Sequence, residues 1–306
     1  MIRLGLCCKF AREPIYFRTT TVSYLKRLAL KGNDPKEHLN EIIKSNVISL
    51  KRAIQYCAES HIGSFRIGSD FFPVITHKDV RYTLDQLPEG SRIKKELENC
   101  KNLAKEKDIR LTFHPSQFVI LNSPKKEVVQ SAIEDLEYHH LLAEFVGADV
   151  INIHLGGAYN DKFSSLKRFE ENFKKLSKGI KKKLTLENDD KIYSPGEVLN
   201  VCKTLKIPFV YDVHHHRCLP DDLSIEEVTE KALETWDREP LLHLSSPLNG
   251  WNNPKPFRHH DFIDPKDFPE SWKKLENITI EIEAKAKEVA IKKLYQQLGK
   301  EVLFRG

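Results

Sequence analysis

Residues 183–212 read KLTLENDDKIYSPGEVLNVCKTLKIPFVYD. The short apolar runs Lys183–Glu187 and Phe209–Asp212 predict two strands, and the stretch between them, 195–205, has the apolar spacing of a helix. Ser194 followed by Pro195 is typical of a helix start, because the serine caps the first turn and proline fits the first helical position. This stretch therefore predicts one strand–helix–strand unit.

The same alternation extends over the whole chain and predicts eight strands. Their bounds are Ile2–Leu6, Ser64–Ile67, Arg110–Phe113, Val150–His154, Lys183–Glu187, Phe209–Asp212, Leu241–Ser245 and Ile278–Glu283. Amphipathic helical stretches lie at 38–60, 91–107, 126–146, 164–179, 195–205, 224–236 and 285–298. No linker-like tract interrupts the pattern, so we expect residues 1–306 to form a single α/β domain, a (β/α)8 TIM barrel with elaborated loops on its C-terminal face. A doubly wound open sheet is the alternative.

The composition of the 306 residues limits the class of protein. Hydrophobic residues make up 40% and charged residues 30%, and apolar clusters along the whole length exclude a disordered chain. The apolar runs are far shorter than the roughly 18 residues of a membrane span, and the first residues lack a signal-peptide pattern. The six cysteines are scattered without a CxxC pair, which favours reduced thiols and a cytoplasmic protein.

Side chains of the metal-binding type stand at the C-terminal ends of six consecutive predicted strands. They are His114, His154, Glu187, Asp212, His243 and the pair Glu281 and Glu283. In a barrel these strand ends meet at one face, so we expect the side chains to surround one cavity. Imidazole mixed with carboxylate suits zinc, manganese or iron better than calcium. The set is too large for one ion and predicts two or three metals that share a bridging carboxylate, an arrangement suited to cleavage of a phosphate ester.

Two groups of histidines leave the choice of ligand open. In the triplet at 214–216, an extended backbone would place His215 on the face opposite Asp212, unless the strand has already ended there. His259 and His260 are adjacent in the long loop after the seventh strand. The sequence alone does not decide which of these two faces the metals.

One basic and aromatic segment lies on the expected cavity face. Residues 6–37, predicted as the loop after the first strand, have a net charge of +4 and include Lys9 and Phe10. Such a mixture neutralises phosphates and stacks on bases, as a nucleic-acid groove requires. Segment 161–183 has a net charge of +6, but its end lies on the opposite face, so we interpret it as solvated surface. The net charge of +5 for the whole chain permits a nucleic-acid partner without requiring one.

Six motifs occur in order along the chain: FHPSQFVILNSP at 113–124, NIHLGG at 152–157, LEND at 186–189, PFVYDVHH at 208–215, HLSS at 243–246 and EAK at 283–285. Together they resemble the signature of the UV damage endonuclease family. The resemblance covers almost the whole chain and implies a TIM barrel related to the type IV apurinic endonucleases. It also implies an enzyme that nicks DNA immediately 5′ to cyclobutane dimers, 6-4 photoproducts and abasic sites. Two to three divalent metals are implied, most commonly Mn²⁺.

The resemblance further implies which residues hold the metals. His114, His154 and Glu187 would hold one metal, and Glu187 would bridge to a second that is shared with Asp212, His243 and Glu283. His215 and His259 would bind the third, with His260 as the alternative to His259. Glu187, His243 and His215 are the expected catalytic residues.

A second set of residues is expected to contact the DNA or the lesion. Its members are Gln117, Phe118, Asn122, Lys9, Phe10 and Arg258. Gln117 and Phe118 match the pair that the family inserts into the duplex where the damaged bases are flipped out. A wedge is effective there because a damaged step stacks weakly and costs less to open than a normal one.

Three positions depart from the family pattern. Leu6 stands where a tyrosine is usual, and Phe118 replaces another tyrosine, which keeps the aromatic ring but loses a hydroxyl group. Leu241 occupies the position at which some members have a carboxylated lysine. These departures concern lesion contact and the third metal rather than the hydrolytic chemistry.

The sequence thus predicts a metal-dependent DNA repair endonuclease that acts on damaged double-stranded DNA. We expect a monomer in the cytoplasm, associated with the nucleoid, with Mn²⁺ as the metal and Zn²⁺, Mg²⁺ or Co²⁺ as alternatives; no membrane and no obligate protein partner is expected. One alternative function is a metal-dependent sugar isomerase or epimerase on the same barrel, which predicts a closed pocket and has no need for the basic, aromatic segment 6–37. The other is a damage-binding module with weak catalysis.

Overall fold

Eight parallel strands form a closed barrel in the computed structural model of the protein, which describes residues 1–299 and 301–305. The strands are β1 (Ile2–Cys7), β2 (Ser64–Ile67), β3 (Arg110–Phe113), β4 (Val150–His154), β5 (Leu184–Glu187), β6 (Phe209–Asp212), β7 (Leu241–Leu244) and β8 (Ile278–Ile282). Neighbours follow the chain order, and β1 pairs with both β8 and β2, which closes the barrel. A short strand, β9 (Phe304–Arg305), pairs with the first two residues of β1. The predicted TIM barrel is confirmed, and the open sheet is wrong.

The helices of the described residues surround this barrel. They are α1 (Val22–Leu30), α2 (Pro35–Glu59), α3 (Gly90–Glu106), α4 (Lys126–Val146), α5 (Lys162–Lys175), α6 (Lys178–Lys183), α7 (Pro195–Leu205), α8 (Val213–Cys218), α9 (Ile225–Leu233) and α10 (Glu288–Leu298). The start predicted for α7 is present, with Ser194 as its N-cap and a capping box to Glu197. None of these helices is both long and apolar enough to span a membrane.

Two predicted segments differ from the structure. The helix predicted over 164–179 is divided into α5 and α6, because Leu176 is extended and Ser177 caps a new helix that continues to Lys183. The fifth strand consequently begins at Leu184. Segment 6–37 is not one loop, since it contains α1 and the first residues of α2, which begins after the N-cap Asp34.

The register of the barrel places residues of neighbouring strands at the same height. His154 pairs with Glu187, Asp212 with His243, and His243 with Glu281. Successive side chains of a strand point to opposite faces, so these residues form one inward layer at the carboxyl ends of the strands. A second inward layer lies two residues earlier in each strand. The strand ends from β3 to β8 therefore deliver their polar side chains to one opening.

Buried arginines close the amino-terminal end of the barrel. Arg3 Nε lies 2.9 Å from a Glu239 oxygen, and Arg3 Nη1 donates to the backbone oxygen of Asp108 at 2.5 Å. Arg110 Nη2 lies 2.8 Å from Asp149 Oδ2, and its Nη1 donates to the backbone oxygen of Pro240 at 3.3 Å. These cations join strands and loops that are distant in the chain.

Arg3→Met should lower the free energy of unfolding by about 3 kcal/mol, because it leaves Glu239 without its cation at a largely buried position. The Arg3 side chain is only 6% exposed. Lys26→Met is the matched control, since its ion pair with Asp79 is exposed and should contribute less than about 1 kcal/mol. Urea unfolding followed by circular dichroism measures both variants. Equal losses for the two variants would show that the arginine is not a structural cation.

Candidate metal centre

The side chain of Glu187 is the meeting point of four imidazoles. It ends β5 and is 1% exposed. Its Oε2 lies 2.8 Å from His114 Nε2 and 3.8 Å from His154 Nε2. Its Oε1 faces the other side, 3.1 Å from His243 Nδ1 and 3.4 Å from His215 Nδ1. The two oxygens are thus directed to two different pairs of histidines, as in a bridging ligand.

Two further carboxylates extend the cluster on the Oε1 side of Glu187. His243 Nδ1 lies 3.6 Å from Glu283 Oε1 and 4.0 Å from Asp212 Oδ2. Three sets of residues offer ligand atoms that lie within 4.8 Å of one another: His114, His154 and Glu187; Glu187, Asp212 and His215; and Asp212, His243 and Glu283. Successive sets share Glu187 and then Asp212, so ions held in neighbouring sets would be bridged by a carboxylate.

The end of β6 decides the orientation of the triplet at 214–216. The strand ends at Asp212, whose Oδ1 accepts a hydrogen bond from the backbone N–H of His215 at 2.8 Å and caps α8. Because the backbone turns there, His215 faces Glu187 on the same side as Asp212. The other two histidines of the triplet are buried outside the three sets. The alternation expected for an extended strand therefore does not apply.

Of the two loop histidines, His259 is the one that faces the cluster. Its Nδ1 lies 3.7 Å from Glu283 Oε2, and its ring centroid lies 6.4 Å from that of His215. The Nδ1 of His260 instead accepts a hydrogen bond from the backbone N–H of Phe262 at 2.9 Å. His259 remains outside the three tight sets of ligand atoms.

The donors of the cluster fit divalent transition metals. They are imidazole nitrogens and carboxylate oxygens, a combination that suits manganese, iron or zinc better than calcium. Asp212 Oδ2 is buried and has no hydrogen-bond partner among the described residues. A buried carboxylate oxygen in that state is costly unless a positive charge lies against it. The residues present therefore fit a bound cation.

The charges of the cluster shift its titration. Burial would raise the pKa of Glu187, but His243 and His154 outweigh this effect and hold the pKa well below its usual range. Burial would lower the pKa of His215, but Asp212 and Glu187 raise it to about 10. Burial would also lower the pKa of His243, but Glu187 and Glu281 raise that pKa well above its usual range. At neutral pH the metal-free cluster thus holds protons on imidazoles that face carboxylates.

Sequence reasoning missed the cation that supports this cluster. Arg66 of β2 places Nη1 2.6 Å from Glu283 Oε1 and 3.2 Å from Glu281 Oε2. Glu281 also accepts a hydrogen bond from the Thr112 hydroxyl, and its Oε2 lies 3.1 Å from His243 Nε2. The sequence did contain a signal for these contacts. Side chains alternate between the two faces of a strand, and this alternation directs both Arg66, within the apolar run Ser64–Ile67, and Glu281, two residues before Glu283, to the barrel interior.

The exposed members of the predicted DNA-contact set lie on loops at the carboxyl ends of the strands. Gln117 and Phe118 form an exposed turn after β3, and Phe118 is 74% exposed. The turn is anchored by Val119, whose side chain is buried and whose backbone N–H donates to the Ser116 backbone oxygen at 2.9 Å. Lys9 and Arg258 are exposed as well.

Asn122 and Phe10 of the same predicted set are part of the packing. Asn122 is 0% exposed, and its Nδ2 donates to the Gly157 oxygen at 2.7 Å, which joins the loops after β3 and β4. The Phe10 ring contacts Tyr56 and Phe65 with centroid separations of 5.3 Å and 5.8 Å. The chain after β1 turns back over α2, so this ring packs on the core instead of facing the opening. We therefore propose no DNA contact for either residue.

Two of the departures from the family pattern are buried positions. Leu6 is 0% exposed within β1, so it presents no side chain to a ligand. Leu241 lies one inward layer below His243 and packs against Val150 and Val210. No carboxylate reaches the cluster from position 241. At the height of His243, the neighbouring strand β8 provides the Glu281 carboxylate.

Known proteins resemble this chain over nearly its full length. The UV-endonuclease UvdE family matches residues 2–303. A UV DNA damage endonuclease of Bacillus velezensis is 35% identical over 291 residues, which cover 91% of this chain and 88% of the relative. The crystal structure of SacUVDE matches with a TM-score of 0.85 and 29% identity, covering 98% of this chain and 99% of that one. Endonuclease IV from Thermus thermophilus matches with a TM-score of 0.60 and 12% identity, covering 82% and 94%, and shows the barrel fold alone.

Metal binding should release protons, and the apparent affinity for Mn²⁺ should rise with pH. The pKa of His215 is raised to about 10 in the metal-free protein, so the imidazole is protonated at pH 7 and a cation must displace that proton. The apparent affinity is therefore weakest at low pH and increases until the pH passes about 10. Calorimetric titration of Mn²⁺ at pH 7, in buffers of different ionisation enthalpy, counts the protons. Mn²⁺ binding without any proton release would contradict the assignment.

Proposed function

Because this chain belongs to the UV-endonuclease UvdE family, we propose that it is a metal-dependent endonuclease that repairs ultraviolet damage in double-stranded DNA. The proposed cleavage position is the phosphodiester immediately 5′ to cyclobutane dimers and 6-4 photoproducts, and abasic sites are proposed as a further substrate. The observation that carries the proposal is the buried Glu187, which has a pair of histidines on each oxygen at the opening of the barrel.

The proposed metal ligands are the three overlapping sets around Glu187. His114, His154 and Glu187 would hold one ion, Glu187, Asp212 and His215 another, and Asp212, His243 and Glu283 a third, with His259 beside Glu283. We propose two to three divalent ions, with Mn²⁺ as the most suitable. Divalent ions in such sites polarise phosphoryl oxygens, lower the pKa of water and stabilise the leaving oxygen of an in-line displacement.

The residues of the chain keep the cluster anionic and ordered for this purpose. The histidines around Glu187 hold its pKa well below the usual range despite its burial, which favours the carboxylate form. Arg66 compensates part of the charge of Glu281 and Glu283 without entering the three sets. The fold holds the ligand atoms of each set near one another, so little reorganisation is needed when the substrate binds.

Lesion recognition is proposed for the exposed turn of Gln117 and Phe118. Phe118 is 74% exposed on an anchored turn, so its ring has an apolar face without a partner among the described residues. A gap between unstacked bases would cover that face, and a damaged step opens at a lower cost than an intact one. Lys9 and Arg258 are proposed to neutralise phosphates on either side of the opening.

Glu187→Ala should reduce nicking of ultraviolet-irradiated plasmid by at least about a hundredfold, because the carboxylate that links the ligand sets is lost. Binding to the irradiated DNA should persist, since the exposed turn and the basic loops are unchanged. Glu239→Gln, a carboxylate at the opposite end of the barrel, should keep the activity of the parent. Full nicking by Glu187→Ala, or no nicking by the parent with Mn²⁺, would refute the proposal. Epimerisation of a ketose without nicking would favour the sugar-isomerase alternative.

The double variant Gln117→Ala and Phe118→Ala should lose preference for damaged over intact duplex by about tenfold or more, because one base-stacking contact is worth about 1–3 kcal/mol. Affinity for Mn²⁺ should stay that of the parent. Leu303→Ala removes another exposed apolar side chain near the amino-terminal end of the barrel and serves as the control. Competition binding with single-lesion and intact duplexes measures the preference. An unchanged ratio in the double variant would argue against a wedge.

A further inference from the structure

Beneath the ligand layer of the barrel lies a pair of polar residues that belong to none of the three ligand sets. Asn152 of β4 and Thr185 of β5 are register partners, and each precedes by two residues a member of the pair His154 and Glu187. Both side chains are buried, with 1% and 0% exposure. Burial of such polar groups costs folding free energy unless each group is hydrogen-bonded.

Their hydrogen bonds form a chain that ends on Glu187. The Thr185 hydroxyl donates to Asn152 Oδ1 at 3.0 Å, and Asn152 Nδ2 donates to Glu187 Oε2 at 2.6 Å. The orientation of the amide is determined by its neighbours, because a flipped amide would place its oxygen against a carboxylate. The hydroxyl group of Thr185 supports the same orientation from the other side.

These two hydrogen bonds restrain the orientation of the Glu187 carboxylate, on which its proposed bridging role depends. Glu187 Oε2 meets His114 on one side, whereas Oε1 faces His243 and His215. Rotation of the carboxylate about its terminal bond would move both oxygens away from their partners. The amide of Asn152 holds Oε2 at a fixed position and so fixes the plane of the whole group.

We propose that Asn152 and Thr185 are positioning residues that set the carboxylate plane of Glu187 so that its two oxygens serve two ligand sets at once. The inference rests on the proposed function, in which those sets hold divalent ions. Residues that orient a metal ligand from outside the coordination sphere are typically worth ten- to a hundredfold in metal affinity.

The test compares Thr185→Val, which removes the hydroxyl at nearly constant volume, with Thr185→Ser, which keeps it. Mn²⁺ is titrated into metal-free protein, and electron paramagnetic resonance measures free Mn²⁺ and the exchange-coupled signal of paired ions. We expect about tenfold weaker binding and less coupled signal for Thr185→Val. Thr185→Ser should stay within about twofold of the parent. Asn152→Ala should lose more Mn²⁺ affinity and more coupled signal than Thr185→Val. If Thr185→Val does not fold, Asn152→Ala alone tests whether the pair positions Glu187.

Thr229→Val is the matched control for burial. Thr229 is 2% exposed, and its hydroxyl accepts a hydrogen bond from Trp272 Nε1 at 2.8 Å, outside the barrel opening. This variant should lose stability but keep the Mn²⁺ affinity and coupled signal of the parent. Parent-like binding by Thr185→Val and Asn152→Ala, or equal losses for Thr185→Val and Thr185→Ser, would overturn the inference. A parent that neither binds Mn²⁺ nor nicks irradiated DNA would instead refute the proposed function.

Discussion

The carboxylate of Glu187 is only 1% exposed, so the side chains around it must compensate its charge. A charge removed from water costs several kcal/mol unless partners compensate it, and Glu187 has four imidazoles and one amide within reach. The barrel register supplies these partners, because parallel strands in step bring their carboxyl ends to one height. The cluster is therefore a consequence of strand order and parity, to which helix α8 adds His215 and the loop after β7 adds His259.

The part of this arrangement that follows from periodicity could be predicted from the sequence. Alternating strands and helices predict the barrel, and ligand-type residues at successive strand ends predict convergence. The direction of His215 could not be predicted, because it depends on where β6 stops and on the Asp212 cap of a six-residue helix. Arg66 does not follow from the strand ends, because its place in the cluster depends on inward parity along the whole strand. Residue type alone also could not distinguish the packed ring of Phe10 from the exposed ring of Phe118.

The opening of the barrel combines an ordered interior with an exposed rim. Asn122 joins the loop after β3 to Gly157, and the buried Val119 anchors the turn that presents Phe118. A wedge on such an anchored turn, as proposed above, would lose little entropy on binding, which leaves its stacking energy available for discrimination. In the proposed function, recognition at the rim places a phosphodiester over the cluster, and the family relationship and the geometry point to the same chemistry.

In the proposed function, Glu187 bridges two divalent cations. Anomalous diffraction at the manganese edge, from crystals of the protein soaked in Mn²⁺, tests this bridging most directly. At least two peaks are expected, one in contact with each oxygen of Glu187, the first beside His114 and His154 and the second beside Asp212 and His215. A single peak away from Glu187, or no peak in the barrel opening, would contradict it.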